Sequence, residues 1–282
     1  MKINTLSLFD GSGGIWLGMT RAGKELGHCF SSETDPYSSS VVRLNFPNVT
    51  HLGDVNKINF NELPIIHFLS AGFPCQDLSF AKGNGKGLKG ERSGLFYKLI
   101  EAITVLKKKN PDLKFLVENV KMKKEWKDII SEKLGVQPIF INSSDFSPQN
   151  RQRLYWTNIP VDEWIPCNDV LQDVLEDGEA VKDKSQTIPA TIYKENVKSM
   201  LKRNKKGLIV RLDKHKSSDL KTLQWRKLSC LETERLQTVP DNYTKCGQKE
   251  TGEIVEISNT QRYKMLGNGF NIETVAWIIK NL

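Results

Sequence analysis

Short apolar runs alternate with segments of helical period through the first 160 residues. Thr5-Leu6-Ser7-Leu8-Phe9 reads as a buried strand. A glycine-rich turn and a helix over 15–26 follow it. A second strand is expected over 28–32, ending at Glu33, and a helix over 37–44. Ile65-Ile66-His67-Phe68-Leu69 is the next strand, with a helix over 95–106 and a strand over 114–117. A helix over 126–134 and strands over 138–142 and 153–157 complete the series. Strands that alternate with helices predict an α/β fold, a doubly wound and mostly parallel sheet covered on both faces.

The pattern breaks after Pro160. Residues 161–225 are polar, basic and poorly periodic, and read as a small second domain or an elaborate insertion. Regular structure resumes with a helix over 229–237. Ser229 is its expected N-cap, and Glu232 stands three residues later at capping-box spacing. A last helix is expected over 272–279. Three segments result: 1–160, 161–225 and 226–282.

Composition changes this picture in three ways. First, 282 residues at 38% hydrophobic content can bury a full core, as one large domain or one large plus one small. No apolar run reaches the roughly 20 residues of a membrane helix, and no charged leader precedes an apolar stretch, so neither a membrane span nor a secretory signal is expected. Second, Cys29, Cys75, Cys167, Cys230 and Cys246 are odd in number and form no CxxC pair. They predict a reduced, cytoplasmic protein with no metal site. Third, the net charge of +8 is concentrated. Residues 194–227 carry twelve Lys/Arg against three acids, a net +9 that leaves −1 for the rest. Such a stretch suits a polyanion through counterion release, or is a solvated surface.

Chemistry-bearing residues gather where strands are expected to end. Phe9-Asp10-Gly11-Ser12-Gly13-Gly14 lies between a strand and a helix, where glycines let backbone approach a ligand. Trp16 in the third position rules out GxGxxG spacing. Glu33 ends the second strand, which suits a carboxylate on ribose hydroxyls. Asp54, in Gly53-Asp54-Val55, could reach an adenine amino group. The bland alternative is a structural turn with two surface acids. Ala71-Gly72-Phe73-Pro74-Cys75-Gln76 follows the third strand, and a thiol there is a nucleophile or a small buried hydrophobe. Glu118, in Glu118-Asn119-Val120, emerges on the same edge. Gln149-x-Arg151-x-Arg153 places two guanidiniums on one face by strand alternation.

With these motifs in this order, the sequence closely resembles the cytosine-C5 DNA methyltransferase family over nearly the whole chain except 161–225. The later motifs are Arg226-x-Leu228-Ser229 with Glu232, Arg235-Leu236-Gln237 with Pro240, and Gly267-Asn268. The resemblance implies an S-adenosylmethionine-dependent methyltransferase sheet and a small target-recognition domain at 161–225, with 226–282 completing the catalytic domain. It departs from the family at Gly269, where a serine is usual, and in the shortness of the 161–225 segment.

The resemblance also implies the roles. Cys75 is the nucleophile that adds to C6 of a flipped cytosine. Glu118 contacts N3 and the 4-amino group, Arg153 the O2 side, and Arg151 supports the loop. The cofactor site takes Phe9, Asp10, Gly11, Gly13, Gly14, Ile15, Trp16, Glu33, Asp54, Val55, Pro74, Leu95, Asn268 and Gly269, with S-adenosylhomocysteine as product and no metal. Gln76, Lys82, Lys86 and Lys89, the last three in a glycine-rich stretch expected to close over DNA, join Lys205, Lys206 and Arg226 as DNA contacts. The expected partner is double-stranded DNA and not a membrane, and the expected state a monomer, alone or with a restriction endonuclease system, in a bacterial or phage-infected cytoplasm. Two competing readings share much of this core: methylation of cytosine C5 in RNA, and a catalytically dead DNA-binding regulator.

Overall fold

A computed structural model describes residues 1–74, 95–212 and 224–282. The buried runs form a seven-stranded sheet. In chain order its strands are β1 (Ile3–Leu8), β2 (Leu26–Ser32), β3 (Val49–His51), β4 (Phe68–Ala71), β5 (Lys114–Val120), β6 (Ile139–Asn142) and β7 (Gln152–Thr157). In space they run β3-β2-β1-β4-β5-β7-β6. The first five are mutually parallel, and β7 lies antiparallel between β5 and β6. The mostly parallel sheet read from the sequence is present.

Helices cover both faces. Helix α3 (Leu95–Lys109) and helix α4 (Lys124–Leu134) belong to one face, with a core that includes Leu69, Phe96, Phe115 and Trp156. Helix α1 (Gly14–Arg21) and the C-terminal helix α8 (Ile272–Ile278) contribute to the other, around Trp16, Phe68, Leu116 and Tyr155. Helix α2 (Pro36–Asn45) starts at an Asp35 cap, whose carboxylate accepts from the Tyr37 and Ser38 N–H groups, with Pro36 at the first helical position.

Two sequence expectations shift. Helix α1 ends at Arg21, not near residue 26, because Gly23 takes φ +67° and Leu26 opens β2. Strand β4 begins at Phe68 and not at Ile65. Ile65 is half exposed, and pairing with β1 begins at Phe68 opposite Thr5.

Beyond β7 the chain passes α8, where Trp164 packs near Phe146 and Trp277 donates to the Asp162 carbonyl. A third core then gathers Leu171, Ile188, Met200 and Val210 with Leu228, Leu236 and Tyr263. It includes helix α5 (Val197–Lys202) and the paired strands β8 (Ile209–Arg211) and β9 (Trp225–Lys227). Helix α6 (Cys230–Leu236) carries the expected Ser229–Glu232 capping box. The hairpin β10 (Cys246–Gln248) and β11 (Ile254–Glu256) lies against α2 through Gly247 and Ser40. Helix α7 (Asn259–Asn268) then returns the chain to the sheet. Among the described residues, no helix is long and apolar enough to cross a membrane.

Candidate active site

Strand order reverses at β1, which has β2 on one side and β4 on the other. The loops leaving β1 and β4 therefore diverge and open a crevice at the carboxyl edge, where open α/β sheets bind ligands. The crevice is a cavity of about 800 Å³, within the 300–1,000 Å³ usual for ligand sites. Its wall includes Phe9, Gly11, Glu33, Asp54, Val55, Gly72, Pro74, Leu95, Glu118, Arg151, Arg153 and Asn268. A smaller recess shares Phe9, Gly11, Gly72, Met265 and Asn268 with it, and adds Gly14, Gln237, Tyr243, Gly269 and Phe270. Residues separated by more than 250 positions thus build one space.

The glycine loop turns through left-handed backbone at Phe9, Gly11 and Gly13, with φ of +56°, +58° and +80°. Gly11 and Gly13 tolerate this; Phe9 is strained, as residues at ligand sites often are. The Gly11 N–H donates to Glu33 Oε2 at 2.8 Å. The other Glu33 oxygen accepts from the Thr34 and Asp35 N–H groups. Asp54 caps the short turn Val55–Lys57 through the Asn56 N–H. Two carboxylates from neighbouring strand ends thus line one wall, an arrangement that fits the ribose hydroxyls and amino group of an adenosine.

Of the expected cofactor contacts, Ile15, Trp16 and Gly13 lie on neither cavity wall, and Asp10 borders the smaller recess with its side chain turned away. Ile15 and Trp16 are fully buried in the core behind the loop. The role of Gly13 is the turn. Asp10 faces inward: its carboxylate accepts from the Ser7 and Ser31 hydroxyls and from Trp16 Nε1 at 2.6, 2.7 and 2.9 Å. Burial pushes the Asp10 carboxyl up to about 6, against the pull of those donors.

At the other end of the cavity, Glu118 Oε1 and Arg153 Nε lie 2.7 Å apart, both largely buried. Glu118 Oε2 faces Gly72, 3.8 Å from where a β-carbon there would stand. Arg151 has a different task. Its guanidinium is buried and donates to the Gly267 carbonyl at 3.3 Å and the Gly269 carbonyl at 2.7 Å, bracing the C-terminus of α7. A cation there is favoured by the helix dipole. Gly267 is required by packing, since a β-carbon would stand 2.4 Å from the Ala190 backbone nitrogen.

Cys75, Gln76, Lys82, Lys86 and Lys89 lie outside the described residues, and Pro74 lines the cavity. Burial pushes the Cys29 thiol up to about 11 and raises that of Cys230, so neither is a ready thiolate. Among the described residues no group of three His, Cys, Asp or Glu is placed to hold a metal.

Two expected DNA contacts are engaged within the protein. Arg226 pairs with Glu232 at 2.6 Å and Asp177 at 2.5 Å, which raises its pKa further. Lys205 Nζ lies 2.5 Å from Glu195. Lys206 stays partly exposed at the start of a short turn. Leu17, Gly72, Gln237, Tyr243, Met265 and Phe270 were not foreseen as wall residues. Gln237 and Tyr243 flank Pro240 in a motif that was visible, but its direction toward the glycine loop was not.

The fold and the site define a class: an α/β protein with a nucleoside-sized crevice beside a paired carboxylate and guanidinium. The family model for C-5 cytosine-specific DNA methylase matches residues 3–206 and 176–282, and the chain belongs to that family. Its activity class is methyl transfer to C5 of cytosine in DNA, with S-adenosylmethionine as the family's methyl donor. Type II methyltransferase M1.ScrFI of Lactococcus lactis subsp. cremoris is 29% identical over 100% of this chain and 78% of its own length. Type II methyltransferase M.NlaX of Neisseria lactamica is 29% identical over 98% of this chain and 95% of its own. The S. pombe Dnmt2 methyltransferase superposes with a TM-score of 0.69, at 17% identity, over 99% of this chain and 98% of that one.

Proposed function

We propose that the chain methylates a cytosine flipped out of duplex DNA, through a covalent bond between Cys75 and C6, with the cofactor held by the glycine loop. The supporting observation is that the glycine loop and the Glu118–Arg153 pair open on one cavity that Pro74, the residue before Cys75, also lines. The flip is needed because C5 and C6 are stacked and inaccessible in a duplex.

The residues around the crevice fit S-adenosylmethionine. Glu33 and Asp54 suit the ribose and adenine, Val55 and Leu95 give apolar contact, and Phe9, Gly11, Asn268 and Gly269 border the amino acid end. The bound cofactor supplies an electrophilic methyl group. The Cys75 thiolate adds to C6, and the displaced electron pair moves toward N3. A proton carried by the Glu118 carboxyl meets it there, and the carboxylate left behind is stabilised by Arg153. C5 would then be nucleophilic, and its new carbon–carbon bond to the methyl would form as the donor's sulfur–methyl bond breaks, the electron pair staying on sulfur and S-adenosylhomocysteine leaving. Water takes the C5 proton, the freed electron pair re-forms the C5–C6 double bond as the C6–S bond breaks and restores the thiolate, and the N3 proton returns to Glu118. Arg151 holds Gly267 and Gly269, and through them the end of α7 at Asn268.

Homologues named as type II methyltransferases favour a restriction-modification role, and residues 161–225 are the candidate recognition domain. A duplex with 5-fluorocytosine at the target tests the mechanism, with bisulfite sequencing locating that target first. Fluorine does not leave as a proton does, so wild-type protein should be trapped covalently with the adduct on Cys75. Cys75→Ser should form no adduct and lose methyl transfer while keeping S-adenosylhomocysteine affinity. An adduct on another cysteine, or near-normal transfer by the variant, overturns the reading.

A further inference from the structure

We infer that Tyr243 is a positioning residue for the cofactor, fixing the glycine loop from the C-terminal segment; this rests on the cofactor binding at that loop. A loop with left-handed backbone at Phe9, Gly11 and Gly13 makes no repeating hydrogen bonds, so its shape depends on tethers. Asp10 holds it from the core and Glu33 holds Gly11. The third tether comes from a distant part of the chain. The Tyr243 hydroxyl donates to the Ser12 carbonyl at 2.7 Å. It also stands 3.1 Å from where a β-carbon on Gly13 would be, so loop and phenol are closely fitted. Tyr243 is buried and lines the recess with Phe9, Gly11 and Asn268.

The phenol is itself held. Glu234, fully buried on α6, accepts from the Asn242 and Thr244 N–H groups at 2.8 Å each and from Thr244 Oγ1 at 2.5 Å. Arg262 of α7 donates to Glu234 Oε1 and to Thr244 Oγ1, both at 3.1 Å. A buried carboxylate is tolerated when it is fully hydrogen-bonded and paired, and such a network then specifies one geometry. Here the geometry is the turn 242–244, which carries Tyr243 to the loop. Neither Glu234 nor Arg262 lines the cavities. Their route to the cofactor is through Tyr243.

The test is calorimetric titration of S-adenosylhomocysteine into the full-length protein. Tyr243→Phe keeps the ring and removes one hydrogen bond, so its Kd should rise about 3- to 12-fold. The KM for S-adenosylmethionine should rise by more than kcat falls, and affinity for DNA without cofactor should stay at the wild-type value. Thr244→Val should act through the same hydroxyl, so the double variant should bind no more weakly than Tyr243→Phe alone. Wild-type Kd in Tyr243→Phe, additive losses in the double variant, or an equal loss of DNA affinity each overturn the inference. Glu33→Ala is the control. If both Glu33→Ala and Tyr243→Phe bind normally, the cofactor is not at the loop; if only Tyr243→Phe does, this inference alone fails.

Discussion

Asp10 carries a carboxylate into the core between β1, β2 and α1, one residue before the first glycine of the loop. Three donors and full burial pull it in opposite directions, and burial prevails, lifting it to about 6. Between the ordinary carboxyl value and about 6, the folded protein binds a proton that the unfolded chain releases. This contribution is therefore full in acid and is lost as pH rises through 6. From about pH 5 to about pH 7.5 the loss is on the order of 1 kcal/mol. Asp10→Asn should remove that slope. Urea unfolding of both proteins at the two pH values measures it, and parallel behaviour would place the Asp10 carboxyl near its ordinary value. The same side chain explains Trp16. The family resemblance assigns Trp16 to the cofactor loop, but Asp10 accepts from its N–H at 2.9 Å and the ring lies in the core.

At the scale of elements, α6 ties distant parts of the chain together through two buried carboxylates. Glu234 holds the turn 242–244 and Arg262 of α7. Glu232 accepts from the Ser229 and Glu176 N–H groups and pairs with Arg226, which also reaches Asp177. Arg226→Ala would leave Glu232 buried without its guanidinium. Removing one partner of a buried pair costs about 3–5 kcal/mol, and partial exposure of Arg226 brings this to about 2–4 kcal/mol. The folded variant should keep the wild-type salt dependence of DNA binding. A stable variant with a flattened salt dependence would return Arg226 to the DNA interface. The capping box of α6 was readable because it is local chemistry, one serine and one glutamate three residues apart. Strands β1 and β5 were readable because each holds a short apolar run that the central sheet buries on both faces. Helix α7 was not, since Arg262 and Tyr263 are buried on it while little else is apolar, and its packing against the Pro189–Ala190 backbone is tertiary. Strand β4 was misplaced because Ile65-Ile66 looks like strand, yet only Ile66 packs inward. Glu33, Glu118 and Arg153 were legible as site residues because strand ends converge on one edge. Tyr243 was not, because nothing local ties a turn near residue 243 to a carbonyl at residue 12.

Across the whole molecule, the excess positive charge resides in the segment that the sheet does not absorb, and pairing decides which of its cations can face a polyanion. Lys205 and Arg226 are held by Glu195, Glu232 and Asp177. Lys198 and Lys202 are exposed and four residues apart, on one face of α5. If residues 161–225 meet the duplex, these two are the better phosphate contacts. Each phosphate neutralised releases condensed counterions, so log affinity falls with log salt by about 0.9 per contact. Replacing both with Ala should therefore reduce that slope by about 2 and weaken binding alike on all sequences, leaving the methylated site unchanged. Lys205→Ala should leave the slope as it is and lower stability, because the largely buried Glu195 would keep only its longer contact to Arg203 at 3.8 Å. Measuring DNA affinity across a salt series for both variants separates the two roles. A wild-type slope in the Lys198/Lys202 variant would mean that α5 does not face the DNA. A changed methylation site would mean that this helix reads bases and not the backbone.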